Sequence, residues 1–225
     1  MISIKNLKKS YKVNQEALPI VDIPQLTINK GDRIALSGRS GSGKSTLLHI
    51  IGGILSPDEG TVMINDVELT AKKEKERDLY RANHIGYIFQ DFHLIPSLSA
   101  EENIRIVLRK KGKETEERLK SWFNKVGLYD RRKHLPNELS RGQQQRVAII
   151  RALINNPSIV LADEPTGSLD FETAEQIMEL LLELSVENNQ TLLCVTHDRH
   201  LMQRFPQSME MEQWNNVISQ GKVSV

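Results

Sequence analysis

The residues with the clearest capacity for chemistry form one run, Gly38-Arg39-Ser40-Gly41-Ser42-Gly43-Lys44-Ser45, which fits the pattern G-x-x-x-x-G-K-[ST]. Glycines let a backbone curl until successive N–H groups face one centre, and the oxygens of a phosphate chain fill such a nest. Lys44 is expected to reach the β and γ phosphates, and Ser45 offers a hydroxyl to Mg²⁺. Thr46 opens an apolar helix over 46–51, whose positive N-terminal end adds to the attraction. The plain alternative is a glycine-rich turn without a ligand. It loses ground because an apolar strand, 33–37, leads into the run and a helix leads out of it.

A second pair of reactive side chains, Asp163 and Glu164, ends the apolar stretch 159–162. Alone, two acids after an apolar strand usually mark a chain leaving the core for solvent. Beside a phosphate loop they acquire separate tasks. Asp163 is expected to hold Mg²⁺ through water, and Glu164 to polarise the water that attacks the γ phosphate.

These groups need a scaffold that brings distant stretches to one edge. Short β-branched runs at 33–37, 85–89, 159–162 and 191–196 alternate with helical stretches, the pattern of an α/β fold with buried parallel strands. Ligands bind at the C-terminal edge of such a sheet. Thr61 to Ile64, the turn residues Asn65 and Asp66, and Val67 to Leu69 read as a hairpin, so a small antiparallel layer is expected near the N-terminus. Pro24, just before a strand at 26–28, points to a sheet edge there. Between residues 91 and 137 the β-branched runs vanish, and Leu119, Trp122, Phe123 and Val126 recur at helical spacing. The expected organisation is one domain, with a core from 1–90 and 146–225 and a helical insertion at 91–145. The charge-rich runs 72–77 and 109–113 read as solvated faces.

Composition narrows the function classes. A chain of 225 residues with 39% hydrophobic and 26% charged residues suits one globular domain. Its 30 Lys and Arg against 29 Asp and Glu leave a net charge of +1, too little for a broad field toward nucleic acid or acidic lipid. The single cysteine, Cys194, excludes an internal disulfide and sits in an apolar run that suggests core packing. Residues 1–7 lack the apolar core of a secretion signal, and no apolar run approaches the ~18 residues of a membrane span. The expected location is cytoplasmic, with membrane contact only through partners.

The stretch Leu139-Ser140-Arg141-Gly142-Gln143-Gln144-Gln145-Arg146-Val147 resembles the signature sequence of ABC ATPases, and the order of the other motifs agrees with it. Physically, Ser140 can cap the helix carrying Val147, Ile150 and Ile154, either as a cap alone or as a further anion-binding point. The resemblance implies a P-loop NTPase fold with a RecA-like core, a small antiparallel β layer and a helical subdomain. It also implies ATP and Mg²⁺ as cofactors, and a head-to-tail homodimer with ATP at the interface. Ser140, Gly142 and Gln143 would then close on the γ phosphate held by the partner copy.

Other roles carry over by position. Tyr11 matches the aromatic that stacks on adenine, and Gln90 the glutamine that senses Mg²⁺ and links core to insertion. Asp170, in Ser168-Leu169-Asp170, belongs to the loop that communicates across the dimer, and His197 matches the switch histidine that contacts the γ phosphate. Taken alone, Tyr11 suggests ordinary packing and His197 a satisfied structural histidine. Arg141 departs from the commonest signature, which has glycine there. A positive φ or a close phosphate at that position would make its Cβ costly.

The segment 89–103, Phe-Gln-Asp-Phe-His-Leu-Ile-Pro-Ser-Leu-Ser-Ala-Glu-Glu-Asn, is similar to the lipoprotein-release, macrolide-efflux and cell-division branch of these ATPases. Membrane-embedded permease subunits are thus the implied partners, and nucleic acid is not. Two alternatives stand against a transport ATPase. An ABC protein acting on DNA or ribosomes would usually add a coiled coil, a second cassette or a basic tail. A P-loop kinase for small molecules would leave the signature stretch and His197 without a task.

Overall fold

The computed structural model describes residues 1–109 and 112–219. Its first sheet is antiparallel, built from β1 (Ile2–Val13), β2 (Glu16–Ile28), β4 (Glu59–Ile64) and β5 (Val67–Glu68) in the order β2-β1-β4-β5. The expected hairpin is β4–β5, with Asn65 and Asp66 both in the left-handed region at φ 45° and 66°, as a two-residue hairpin turn demands. The strand expected at 26–28 is longer than predicted: β2 runs from Glu16 straight through Pro19 and Pro24. As the edge strand it has one side that needs no donors, so two missing N–H groups are tolerated.

The second sheet is parallel and contains β3 (Arg33–Ser37), β6 (Ile85–Ile88), β7 (Ile159–Asp163), β8 (Thr191–Val195) and β9 (Gln207–Glu210), in the order β6-β7-β8-β3-β9. All five residues of β8 and the first four of β7 are buried, which is why these strands read as continuous apolar runs rather than alternating ones. Phe89 and Thr196 were expected inside strands and instead begin the turns that leave the sheet.

Three apolar clusters hold the layers together. The first fills the space shared by both sheets and α1 (Lys44–Ile51), with Leu47, Leu48, Ile50 and Ile51 among its members. On the opposite face of the parallel sheet lie α5 (Arg141–Leu153) and α6 (Phe171–Glu187), which bury Ile149, Leu153, Ile177, Leu181 and Leu184. Cys194 is fully buried there. The third cluster joins α3 (Ala100–Arg105) and α4 (Lys113–Lys125) to the other side of α5 through Ile104, Leu119, Phe123, Val147 and Ile150. Because α5 contributes to two clusters, it joins the helical region to the sheet. It also runs across residue 145, where the insertion was expected to end.

α2 (Glu74–His84) buries none of its residues, in keeping with the solvated face expected at 72–77. Of the other charged run, Lys110 and Lys111 lie outside the described residues. No helix among the described residues is long and apolar enough to cross a membrane.

Candidate functional site

Parallel pairing puts the C-terminal ends of β3, β8 and β7 side by side, so the chain leaving each strand arrives at the same edge. β3 delivers the run Gly38 to Ser45, β7 delivers Asp163 and Glu164, and β8 delivers His197. They surround an open cavity of about 590 Å³, lined by Gly38, Ser40, Gly41, Ser42, Gly43, Lys44, Ser45, Thr46, Glu164 and His197, with Tyr11 and Ile20 on its rim. Tyr11, on β1, keeps 41% of its surface exposed, which leaves its ring available for stacking.

The loop has the form that its glycines predict. Gly43, the residue ahead of α1, sits at φ 92°, and a Cβ there would lie 2.9 Å from the carbonyl oxygen of Ile20. Only glycine fits. No side chain caps α1, and Lys44, Ser45 and Thr46 of its first turn line the cavity, where the first N–H groups of a helix have no partner within it. Lys44 is nearly buried and donates to the carbonyl oxygens of Gly38 and Arg39, both at 2.8 Å. The ammonium is therefore already folded back over the loop. Arg39 and Ser40 are exposed.

Asp163 ends β7 near the Ser45 hydroxyl. Burial holds the Asp163 carboxyl above its ordinary range, while the Ser45 hydroxyl and the nearby His49 and Lys44 oppose that rise. Glu164 has a feature that no sequence pattern announces, a left-handed backbone at φ 45° in a residue that is not glycine. Such strain persists only where neighbours impose it. Here the Glu164 N–H donates to the carbonyl of Val195 at 3.0 Å, and the turn throws the carboxylate toward His197, with Oε2 3.2 Å from Nδ1. Gln90, just past β6, approaches the same point: a Cβ built on Gly167 would lie 3.4 Å from Glu164 Oε2 and 3.5 Å from Gln90 Nε2.

The signature residues lie elsewhere. Ser140, Gly142 and Gln143 open α5 and do not line the cavity. The Ser140 hydroxyl accepts from the Gln143 N–H at 3.3 Å and Gln143 Oε1 accepts from the Ser140 N–H at 3.0 Å, a reciprocal cap. Gly142 is packed against α6, where a Cβ would come within 2.5 Å of Thr173 Cγ2. Asp170 caps α6 by accepting from the Thr173 N–H at 3.0 Å, and these hydrogen bonds lower its carboxyl pKa. Arg141 takes an ordinary right-handed helical conformation and not the positive φ that would have made its side chain costly. Its guanidinium lies 5.4 Å from the centre of the Phe92 ring.

Sequence reasoning missed several supporting side chains. Arg151 of α5 donates to the carbonyl oxygens of Phe92 and His93, both at 2.6 Å, and so braces two residues held at φ 39° and 47° just after Gln90. Gln145, fully buried, donates to the carbonyl oxygen of Pro165 at 2.6 Å, next to Glu164. Asn215 and Glu212 touch the phosphate loop itself. Each acts through backbone atoms at long sequence separation, which leaves no spacing to recognise.

Comparison with known proteins agrees with this geometry. Residues 21–167 match the family model described as ABC transporter. The ABC transporter ATP-binding protein YtrE of Bacillus subtilis is 44% identical over 205 residues, covering 88% of this chain and 89% of its own length. The lipoprotein-releasing system ATP-binding protein LolD of Pseudomonas syringae is 42% identical over 215 residues, covering 94% of this chain and 95% of its own. Lipoprotein-releasing systems are therefore among the similar proteins, as residues 89–103 suggest. The dimeric structure of the ATP-binding cassette MJ0796, of Methanocaldococcus jannaschii, in a post-hydrolysis state bound to ADP and Pi superposes with a TM-score of 0.85 at 39% identity, covering 93% of this chain and 94% of that one. With the family match spanning more than half of the sequence and such relatives spanning most of it, the chain belongs to the ABC transporter family.

Proposed function

We propose that this chain binds ATP in the cavity at the head of α1 and hydrolyses it as one of two identical cassettes, driving membrane-embedded partner subunits in export, extraction or envelope remodelling. The observation that carries this is the division of the site. The phosphate loop, Glu164 and His197 share one cavity, while Ser140, Gly142 and Gln143 open a helix outside it. A single chain thus presents half of a reaction site and the complementary half of another. The similar cassette of known structure is a dimer bound to ADP and Pi.

In this proposal Tyr11 stacks on the adenine, and the loop N–H groups with Lys44 hold the β and γ phosphates. The donors near the γ position suit Mg²⁺: the Ser45 hydroxyl and the Asp163 carboxylate are hard oxygen ligands brought near one another by α1 and β7. Among the described residues no group of three His, Cys, Asp or Glu converges, so phosphate and water would supply the remaining ligands. When bound, the ion neutralises charge that gathers on the phosphate oxygens. Gln90 would reach the same ion and link it to the helical region.

Glu164 takes the proton from a water whose oxygen attacks the γ phosphorus. The bond to the bridging oxygen breaks, and ADP and phosphate leave. His197, beside Glu164, holds a γ-phosphate oxygen. Ser140, Gly142 and Gln143 of the second copy close over that group, and Asp170 lies in the loop that relays between the two sites. The location that follows is the cytoplasmic face of the membrane, reached through the permease subunits. A net charge of +1 gives no support to action on DNA or ribosomes.

The experiment is Glu164→Gln in the full chain. ATP binding is retained and turnover falls at least ~10²-fold, the lower end of what a general base contributes. The same variant forms an ATP-dependent dimer measurable by light scattering. Near-normal turnover would remove Glu164 from this role, and a monomer under saturating MgATP, even beside its membrane partner, would remove the shared site.

A further inference from the structure

β9 ends at Glu210, which pairs with Ser37, the residue immediately before the phosphate loop. The chain therefore leaves the sheet beside that loop. It turns through α8 (Met211–Trp214) and α9 (Asn216–Ser219), which pack on β2 and bury Met211 and Val217. Two polar side chains of this segment reach the loop backbone.

Asn215, between the two short helices, is 1% exposed. Its amide nitrogen donates to the carbonyl oxygens of Ile20 at 2.7 Å and Ser42 at 3.1 Å. Its oxygen accepts from the N–H groups of Asp22 at 2.8 Å and Val217 at 3.3 Å. One side chain thus joins β2, the phosphate loop and the C-terminal segment with its hydrogen-bonding capacity in full use. Glu212 meets the other end of the loop, its carboxylate accepting from the Arg39 N–H at 2.8 Å. Both contacts spare the N–H groups at the head of α1.

Their value follows from the conformational freedom of the loop. The Lys44 ammonium ties the Gly38 and Arg39 carbonyls with two of its three donors, which leaves one for phosphate. A glycine-rich loop without further ties would have to be ordered at the expense of binding free energy. The bonds from Asn215 and Glu212 fix the loop backbone at Ser42 and Arg39 from outside the cavity. We propose that Asn215 and Glu212 are positioning residues of the phosphate loop, presetting its backbone so that nucleotide affinity depends on the C-terminal segment. The proposal rests on the assignment of Gly38 to Thr46 as the nucleotide cradle.

Three full-length variants test it by titration calorimetry with MgADP. Asn215→Asp keeps the shape and the acceptor but loses both donors, leaving the Ser42 carbonyl unpaired, and affinity is expected to fall roughly tenfold, the scale of one buried polar group stranded. Glu212→Ala is expected to weaken binding about threefold to tenfold. Glu212→Gln still offers an oxygen to the Arg39 N–H and removes a charge that opposes phosphate, so its affinity returns to within about twofold of the parent protein. In steady-state hydrolysis the losses fall on KM, with kcat at saturating ATP largely kept. A general loss of folding would not reproduce that split.

If Asn215→Asp fails to fold, the Glu212 pair decides. Parental affinity in Glu212→Ala overturns the proposal, as does a Glu212→Gln as weak as Glu212→Ala. Lys44→Ala separates this failure from that of the cradle itself. Unchanged affinity in Lys44→Ala sinks the cradle, whereas loss there with parental affinity in the other variants sinks only the positioning role.

Discussion

Two helix N-termini of this molecule carry the proposed phosphate contacts, and they are finished differently. At the head of α1 the preceding residue is Gly43, no side chain caps the helix, and its first residues line a cavity with Lys44 folded back over the loop. At the head of α5 the preceding residue is Ser140, and a reciprocal cap with Gln143 already satisfies donors at that end. The first terminus has no side-chain cap; the second is capped within its own chain and exposed. In the proposed function a phosphate held by α1 gains from its own chain first, and the α5 end arrives later, from another copy, and leaves again.

The strongest way to break this contrast is to disable each terminus in a different copy. Ser140→Asp keeps a good N-cap residue, so stability should hold, but it places a carboxylate where the γ phosphate of a partner would sit. Facing like charges cost several kcal/mol, so hydrolysis should drop by at least ~10²-fold. Lys44→Ala is expected to be comparably inactive. Mixed one to one, the two pair to give one site with both Lys44 and Ser140 intact, and ATPase activity should return well above either alone. A mixture no more active than the mean of its components would mean that each chain works by itself.

A smaller effect sharpens the packing side of the comparison. The α5 terminus is held against α6 at Gly142, where a Cβ would meet Thr173 Cγ2 at 2.5 Å. Gly142→Ala should cost about 1–3 kcal/mol through overpacking, about 2–12 °C of melting temperature in a chain of this length. Thr173→Ser removes the obstructing methyl, so the double variant should regain most of the loss, the sign of direct coupling. If the double variant were simply additive, the close approach would not be what demands glycine.

The same contrast explains what was legible in the sequence. The α1 terminus is contiguous, so Gly38 to Ser45 declares strand, loop, helix and ligand together. The hairpin at Asn65-Asp66 and the buried strands β7 and β8 are local in the same sense. Roles for Tyr11, Gln90 and His197 came only through family resemblance, because a single aromatic, amide or imidazole has no spacing of its own. Glu164 was visible as an acid after a strand, yet its left-handed backbone was not, since that strain is imposed by Val195 on another strand. Asn215 lay beyond reach for a plainer reason. Its four partners are backbone atoms, three of them more than 170 residues away, and backbone atoms carry no signature.

The smallest expected effect concerns what the α1 site costs the fold. Asp163 is held in a partly buried position where its charged form is disfavoured, so its carboxyl titrates above the usual 3.8. A raised carboxyl pKa means that the folded chain takes up a proton before the unfolded one does. Ionisation at Asp163 therefore weakens the nucleotide-free fold above that window, and the deficit fades as pH falls through the raised value toward 3.8. Asp163→Asn should accordingly raise the melting temperature of the nucleotide-free chain at pH 7, with the gain shrinking toward pH 4, while hydrolysis is lost. Thermal melts across that range decide it. A variant less stable than its parent at pH 7 would show that the Ser45 hydroxyl and the neighbouring cations outweigh burial, and that this half of the site is a source of stability instead of a strain the fold accepts for its chemistry.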